Sequence, residues 1–260
     1  MKNRALEQKI AVITGAGSGI GRASALRFAE AGALVAAFDI TEQSVNAVAD
    51  EINRGGGRAI AMCVDVTDHA AVKNSIDRIA QQYGALDILF NNAGGTLPQP
   101  TDQQSIDDYH KIIALNLDSV FYGIHAALPI MLQQGHGVIL STTSGAGLNA
   151  VPGLAIYGAA KAGVISLMKN IAVEFGQRGI RANAISPGPM DTPGLRSWLN
   201  TFDDGPTRYA RDIPSGRLGT ADDIAEAAVF LASDAASFIN GAVLPIDGAI
   251  HARLSSPNIS

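Results

Sequence analysis

A short apolar run from Lys9 to Ile13 breaks at Thr14-Gly15-Ala16-Gly17-Ser18-Gly19-Ile20-Gly21 and resumes as the helix-forming stretch Arg22 to Phe28. This order of strand, glycine turn and helix constrains the fold more than any other feature of the chain. Glycine lets the backbone turn sharply and approach a ligand closely. The free amides and positive dipole at the start of a helix attract a phosphate, so a pyrophosphate fits there. The spacing is G-x-x-x-G-x-G, with Gly17 as an additional glycine, and differs from the commonest dinucleotide fingerprint G-x-G-x-x-G. A second strand, Ala33 to Phe38, follows the helix and ends in Asp39, where an acid can bind ribose hydroxyls.

Strand and helix signals go on alternating to the end of the chain. Helices are predicted over Glu42 to Arg54 and Ala70 to Tyr83, with Gly55-Gly56-Gly57 as the break after the first. Strands are predicted over Arg58 to Asp65, Leu86 to Asn91, Gly137 to Thr143, Ile180 to Ser186 and Ala242 to Ile246. Their near-continuous apolar character is that of strands buried on both faces. The expected fold is α/β: a single-domain, doubly wound, Rossmann-like parallel sheet of about seven strands with helices on both faces. With no linker or repeat in sight, 260 residues fit one domain spanning 1–260. Ligands of such sheets bind beyond the carboxyl ends of the strands, and Asp39, Asp65, Asn91 and Ser144 all fall at or just after those ends.

Tyr157 and Lys161 stand four residues apart in a segment that reads as helix. Residues so spaced share a face, with Cβ atoms about 5–6 Å apart. An ammonium beside a phenol favours phenolate, which draws the tyrosine toward the range where it can exchange a proton with an alcohol or carbonyl. Ser144 precedes Tyr157 by 13 positions, and its hydroxyl can polarise a substrate oxygen. Ser141, Thr142 and Thr143 are neighbouring rivals for that role.

These segments resemble, in order, the motifs of the classical short-chain dehydrogenase/reductase family, and the resemblance covers nearly the whole chain. Thr14 to Gly21 looks like its cofactor loop, Asp65-Val66 its adenine contact, Asn91-Asn92-Ala93-Gly94 its central-strand motif and Asn116 its helix asparagine. Ser144, Tyr157 and Lys161 complete the tetrad. Asn183 to Thr192 is similar to the segment that holds the nicotinamide, and Asn240-Gly241 with Asp247-Gly248 to the closing-strand motif. Two positions depart from the family pattern: Met190 stands where isoleucine or valine is usual, and Ala249 where a second glycine is common.

The resemblance implies catalytic roles for Ser144, Tyr157, Lys161 and Asn116. Lys161 also binds the nicotinamide ribose, and Asn116, in a locally opened helix, holds a water on the proton path. It implies a cofactor site built from Gly15, Gly17, Ser18, Gly19, Ile20, Asp39, Asp65, Val66, Asn91, Ala93, Gly94, Tyr157, Lys161, Pro187, Gly188, Met190 and Thr192. It implies as well a substrate-covering loop at about 189–213 and a homotetramer, for which helix faces exposing Ala126, Ile130, Ala172 and Phe175 are expected to bury one another between subunits.

Charge decides the expected cofactor. Asp39 accepts hydrogen bonds from ribose hydroxyls and repels a 2′-phosphate, while Ser18 and Ile40 stand where an NADP enzyme is expected to offer Arg or Lys. NAD is favoured. The expected activity is reversible hydride transfer between a secondary alcohol, a cyclic diol or polyol included, and the nicotinamide. The alternatives are a ketoacyl-type carbonyl reductase using NADPH and a non-catalytic nucleotide-sensing or scaffold protein.

The remaining features narrow the partners. A formal charge of −5 and a pI near 5.5 leave no basic footprint for nucleic acid or an anionic membrane. The charged first residues lack a signal-peptide core, and no apolar run reaches membrane-spanning length, which points to the cytoplasm. Cys63, the only cysteine, is expected to be a buried strand residue. The histidines, His69, His110, His125, His136 and His251, show no metal-ligand or triad spacing, so they are read as solvated surface and no metal is expected, and no G-x-S-x-G elbow surrounds Ser144. Arg196, Arg208 and Arg211 hint at an anionic substrate, although exposed arginines are the plainer reading.

Overall fold

The computed structural model describes residues 4–253, so residues 1–3 and 254–260 of the expected 1–260 domain lie outside the described residues. Seven strands form one parallel sheet: β1 (Ile10–Thr14), β2 (Leu34–Asp39), β3 (Arg58–Cys63), β4 (Ile88–Asn91), β5 (Gly137–Thr142), β6 (Ile180–Pro187) and β7 (Val243–Ile246). Their order is β3-β2-β1-β4-β5-β6-β7. The chain winds outward one way from β1 to β3 and the other way from β4 to β7. The switch therefore falls between β1 and β4, where a crevice opens at the carboxyl ends.

Nine α-helices accompany the described strands: α1 (Gly19–Glu30), α2 (Glu42–Arg54), α3 (His69–Tyr83), α4 (Ile106–Ile113), α5 (Ser119–Gln134), α6 (Ala155–Phe175), α7 (Pro193–Leu199), α8 (Gly205–Arg211) and α9 (Ala221–Ala232). Helices α1, α2 and α9 cover one face of the sheet, burying Phe28, Val48 and Ile224 with Ile13 and Phe90. The other core joins Val12, Leu89 and Ile139 to Ile76 of α3, Ile124 of α5 and Val164 of α6. Two filled faces explain why strands β1, β2 and β4 are apolar without alternation.

Local signals fix several boundaries. Asp68 caps α3 by accepting from the amides of Ala70 and Ala71, and Ser105 with Asp108 forms a reciprocal capping box on α4. Strand β4 starts at Ile88, two residues later than expected. The Gln134 amide at the end of α5 takes both backbone groups of Leu86, at 2.8 and 3.0 Å, and removes it from the ladder. Between α4 and α5 the chain makes one π-helical turn, Ala114–Asp118, so that a continuous 29-residue helix, Ile106–Gln134, carries a local opening. By length and composition that helix is apolar enough to cross a membrane. Here it packs on α3, β4 and β5 with Ile124, Ala127 and Met131 buried.

Two expectations need correction. Cys63 is exposed, because β3 is the sheet's edge strand and Cys63 its last residue. Ala126 and Ala172, expected on exposed subunit-binding faces, are buried in the chain's own core; Phe121 and Val173 are exposed on those helices instead. His136 and His251 are exposed, as expected, and each also meets a carboxylate, Asp87 at 3.1 Å and Asp247 at 2.8 Å. Neither histidine is hydrogen-bonded to Ser144 among the described residues.

Candidate active site

The glycine turn joins β1 to α1 with Gly15 at φ +64°, where a Cβ would stand 2.9 Å from Ala93 Cα. Only glycine lets the turn lie that close to the end of β4. Ser18 precedes α1 without capping it through its side chain, which leaves the first helix amides for an anion. Thr14 ties the turn to β4: its Oγ1 accepts from the amides of Asn92 and Ala93 at 3.0 and 3.1 Å. Asn92 completes the tie by donating to Thr14 O and accepting from Thr142 Oγ1. That bridging role of Asn92, across the ends of β1, β4 and β5, escaped sequence reasoning because its partners lie far along the chain.

Asp39 ends β2 beside this turn. Its Oδ2 accepts from Gly17 N and its Oδ1 from Thr41 N, both at 2.9 Å. The carboxylate is thereby held at the turn, with remaining lone pairs for hydroxyl donors. Asp65 follows β3 and accepts from the amide and hydroxyl of Thr67, and the neighbouring Val66 is buried. Asn91 behaves differently from expectation: its side chain faces Ser141 and the missing side chain of Gly123 on α5. Any nucleotide contact from Asn91 is therefore left to its backbone.

Across the crevice, β6 delivers Pro187 and Gly188, and Gly188 N donates to Ile246 O at 2.9 Å. Met190 is buried over Gly219, which pairs with it as an isolated bridge. The longer methionine fits because position 219 carries no side chain. Thr192 caps α7 and reaches the glycine turn, where a Cβ on Gly19 would meet its Cγ2 at 3.6 Å. Contacts thus join the glycine turn to Asp39, to Ala93 and to Thr192 at the carboxyl ends of the strands, while Val66 packs in the core and the Asn91 side chain turns toward α5.

Tyr157 lies in the first turn of α6 and Lys161 one turn later. Lys161 is 1% exposed; its Nζ donates to Thr142 O at 3.0 Å and stands 5.6 Å from the centre of the Tyr157 ring. Ser144 begins the turn after β5 and accepts from Ala146 N, and its hydroxyl stands near enough to the Tyr157 phenol to favour the ionised form. Its rivals are engaged elsewhere. Ser141 donates to Met168 Sδ in the core, Thr142 to Asn92, and Thr143 to Lys161 O at 2.9 Å. Asn116, fully buried in the π turn, accepts from Gly95 N and donates to the carbonyls of Gly95 and Ile112. A Cβ on Gly94 would lie 2.8 Å from Asn116 Oδ1 and 3.0 Å from Lys161 Nζ, so the loop after β4 threads between these two side chains.

Burial dominates the titration of this cluster. It pushes the Tyr157 phenol up, opposed by the Ser144 hydroxyl, and pulls Lys161 down to about 8. The spacing argument expected the opposite direction for Tyr157. Desolvation of the phenolate outweighs the lysine, whose ammonium is directed to a backbone carbonyl. A half-buried phenol, a serine hydroxyl and an amine can together bind one oxygen and move one proton.

A nicotinamide nucleotide fits these residues. The close turn at Gly15, the uncapped start of α1 and the fixed carboxylate of Asp39 make a cradle for a pyrophosphate and a ribose, leading to Tyr157 and Lys161.

Comparison with known proteins supports the geometry. Residues 15–251 match the family described as enoyl-(acyl carrier protein) reductase. Over 248 residues the chain is 42% identical to 2,5-dichloro-2,5-cyclohexadiene-1,4-diol dehydrogenase LinX of Sphingobium indicum, covering 95% of this chain and 98% of that protein. It is 37% identical over 253 residues to meso-2,3-butanediol dehydrogenase of Serratia marcescens, covering 97% and 98%. The solved structure of 7α-hydroxysteroid dehydrogenase complexed with NADH and 7-oxo glycochenodeoxycholic acid superposes with a TM-score of 0.89 at 38% identity, over 95% of this chain and 96% of that one.

Proposed function

The chain belongs to the classical short-chain dehydrogenase/reductase family, whose members act on CH–OH groups with a nicotinamide nucleotide, and on that premise we propose that it oxidises a secondary alcohol with NAD, reversibly. The observation that carries the reading is the set of half-buried Ser144 and Tyr157 beside the buried Lys161, with Ser141, Thr142 and Thr143 all committed to the framework. When bound, the nicotinamide supplies the hydride acceptor.

In this reading Ser144 Oγ orients the substrate oxygen, and Tyr157 Oη takes its proton during oxidation and returns it during reduction. Lys161 Nζ holds the nicotinamide ribose from its place beneath the Tyr157 ring. Asn116 keeps Gly95 and the π turn in register, beside the path by which a proton leaves. Since burial holds Tyr157 as phenol, the acid form is ready for carbonyl reduction, and oxidation requires its deprotonation.

The preference for NAD rests on Asp39, whose carboxylate repels a 2′-phosphate and has no Arg or Lys beside it in the stretch Asp39-Ile40-Thr41. The same feature counts against an NADPH-dependent carbonyl reductase. The relatives that act on diols support an alcohol as substrate. A homotetramer is part of the proposal, motivated by the exposed Phe121 of α5 and Val173 of α6; light scattering that shows monomer alone contradicts it.

The test of the function is a pair of measurements. Fluorescence titration should give tighter binding for NAD than for NADP, and absorbance should record NADH formation on a panel of secondary alcohols. Equal affinity for the two nucleotides removes the argument from Asp39, and absence of turnover with bound NAD leaves only a nucleotide-binding protein.

A further inference from the structure

Within the proposed dehydrogenase reading, on which this inference rests, we infer that the substrate is an uncharged secondary alcohol flanked by hydrocarbon, and neither a polyol nor an anion. Two stretches surround the Ser144–Tyr157 pair, Ile88 to Thr101 and Gly137 to Ala160, and neither contains an Asp, Glu, Lys, Arg or His. What they expose instead is apolar: Leu97 is 71% exposed, Leu148 41% and Val151 43%.

The backbone brings these three side chains to one rim. Leu148 closes the turn that begins at Ser144, and that turn packs on α6 so closely that a Cβ on Gly147 would stand 2.8 Å from the Lys161 carbonyl carbon. Val151 lies in the turn feeding α6, where Leu154 N donates to Val151 O and Gly158 N to Leu154 O. Leu97 is tied to the same turn, since Gln99 N donates to Gly153 O at 3.0 Å. Three apolar groups from two loops therefore stand around the start of α6, where Tyr157 sits.

Polar groups on this rim are mostly spent. The Thr96 hydroxyl goes to Leu97 O and the Gln99 amide to Gln103 O. Asn149 offers one exposed amide on the Ser144 turn, enough for one or two further hydroxyls. A polyol enclosed here leaves hydroxyls without partners, which is costly. The chain that follows Thr192 adds aromatic surface, with Trp198 edge-on to Phe202 and Tyr209 at 5.1 and 6.3 Å. Of its arginines, Arg196 pairs with Asp191, while Arg208 and Arg211 stand in the last turn of α8.

Initial rates with NAD on cyclohexanol, meso-erythritol and 3-hydroxybutyrate test the inference. Cyclohexanol should give the highest kcat/KM, by roughly 10-fold or more over each of the others. The double variant Leu148→Asn with Val151→Asn should lose roughly 10-fold in kcat/KM for cyclohexanol while binding NAD as before, which also shows that it folds. Erythritol or hydroxybutyrate turned over as well as cyclohexanol, or a double variant with unchanged cyclohexanol kinetics, overturns the substrate class and leaves the dehydrogenase reading standing. Failure on all three with NAD bound overturns both.

Discussion

Replacing Lys161 with methionine should destroy activity and, at neutral pH, make the protein more stable. Burial lowers this lysine from 10.5 to about 8, so the folded chain binds its proton less tightly than the unfolded chain does. At about 1.4 kcal/mol per unit, holding the charged form inside costs about 3 kcal/mol at pH 7. Methionine is of similar length and uncharged, and it removes that cost. It also leaves Thr142 O without the donor it has at 3.0 Å, a loss of about 1–3 kcal/mol. The net expectation at pH 7 is a gain of about 1 kcal/mol. The sign then depends on pH. Since the folded value lies below the unfolded one, the penalty on the native lysine is fully present below pH 8, shrinks as pH rises, and is gone above 10.5. The variant should therefore gain at pH 7 and lose at pH 10, read by urea denaturation at both. Tyr157, itself pushed upward, stays neutral through most of this window. A stability difference that is the same at both pH values refutes the reasoning.

Asp39→Ala removes a ribose acceptor and the partner of Gly17 N, so NAD affinity should fall about tenfold and the gap to NADP should narrow in fluorescence titrations. Ala249 holds a left-handed backbone at φ +73°, which costs an alanine about 1–2 kcal/mol; Ala249→Gly should stabilise the fold by up to about 1 kcal/mol in thermal denaturation, once glycine's extra chain entropy is counted. With Tyr157 held as phenol by burial, the oxidation rate should climb with pH while carbonyl reduction falls, and a flat profile in both directions contradicts a titrating tyrosine.

The elements were legible because their signals are local. A glycine turn between an apolar run and a helix, the four-residue spacing of Tyr157 and Lys161, and the carboxylate at the end of β2 all fall within short stretches, and the structure brings them to the carboxyl ends of the strands. The choice among Ser141, Thr142, Thr143 and Ser144 was not local. It depends on Met168, Asn92 and the Lys161 carbonyl, partners that only the folded chain supplies. Cys63 was misjudged for a related reason: an apolar run marks a strand, yet nothing in the run says that the strand lies at the sheet's edge. Ala126 and Ala172 sit on helices whose apolar residues extend around most of the surface, so periodicity gave no hint of which side the core would take. The direction of the Tyr157 shift depends on depth of burial, which residue spacing does not carry.

The central claim is that the Tyr157 hydroxyl moves the substrate proton. Tyr157→Phe removes that one oxygen and leaves the ring against Lys161. Measured side by side, NAD affinity should stay close to that of the unaltered protein while alcohol turnover falls by at least about 100-fold, the usual worth of a general base. Near-normal turnover by the phenylalanine variant contradicts the account.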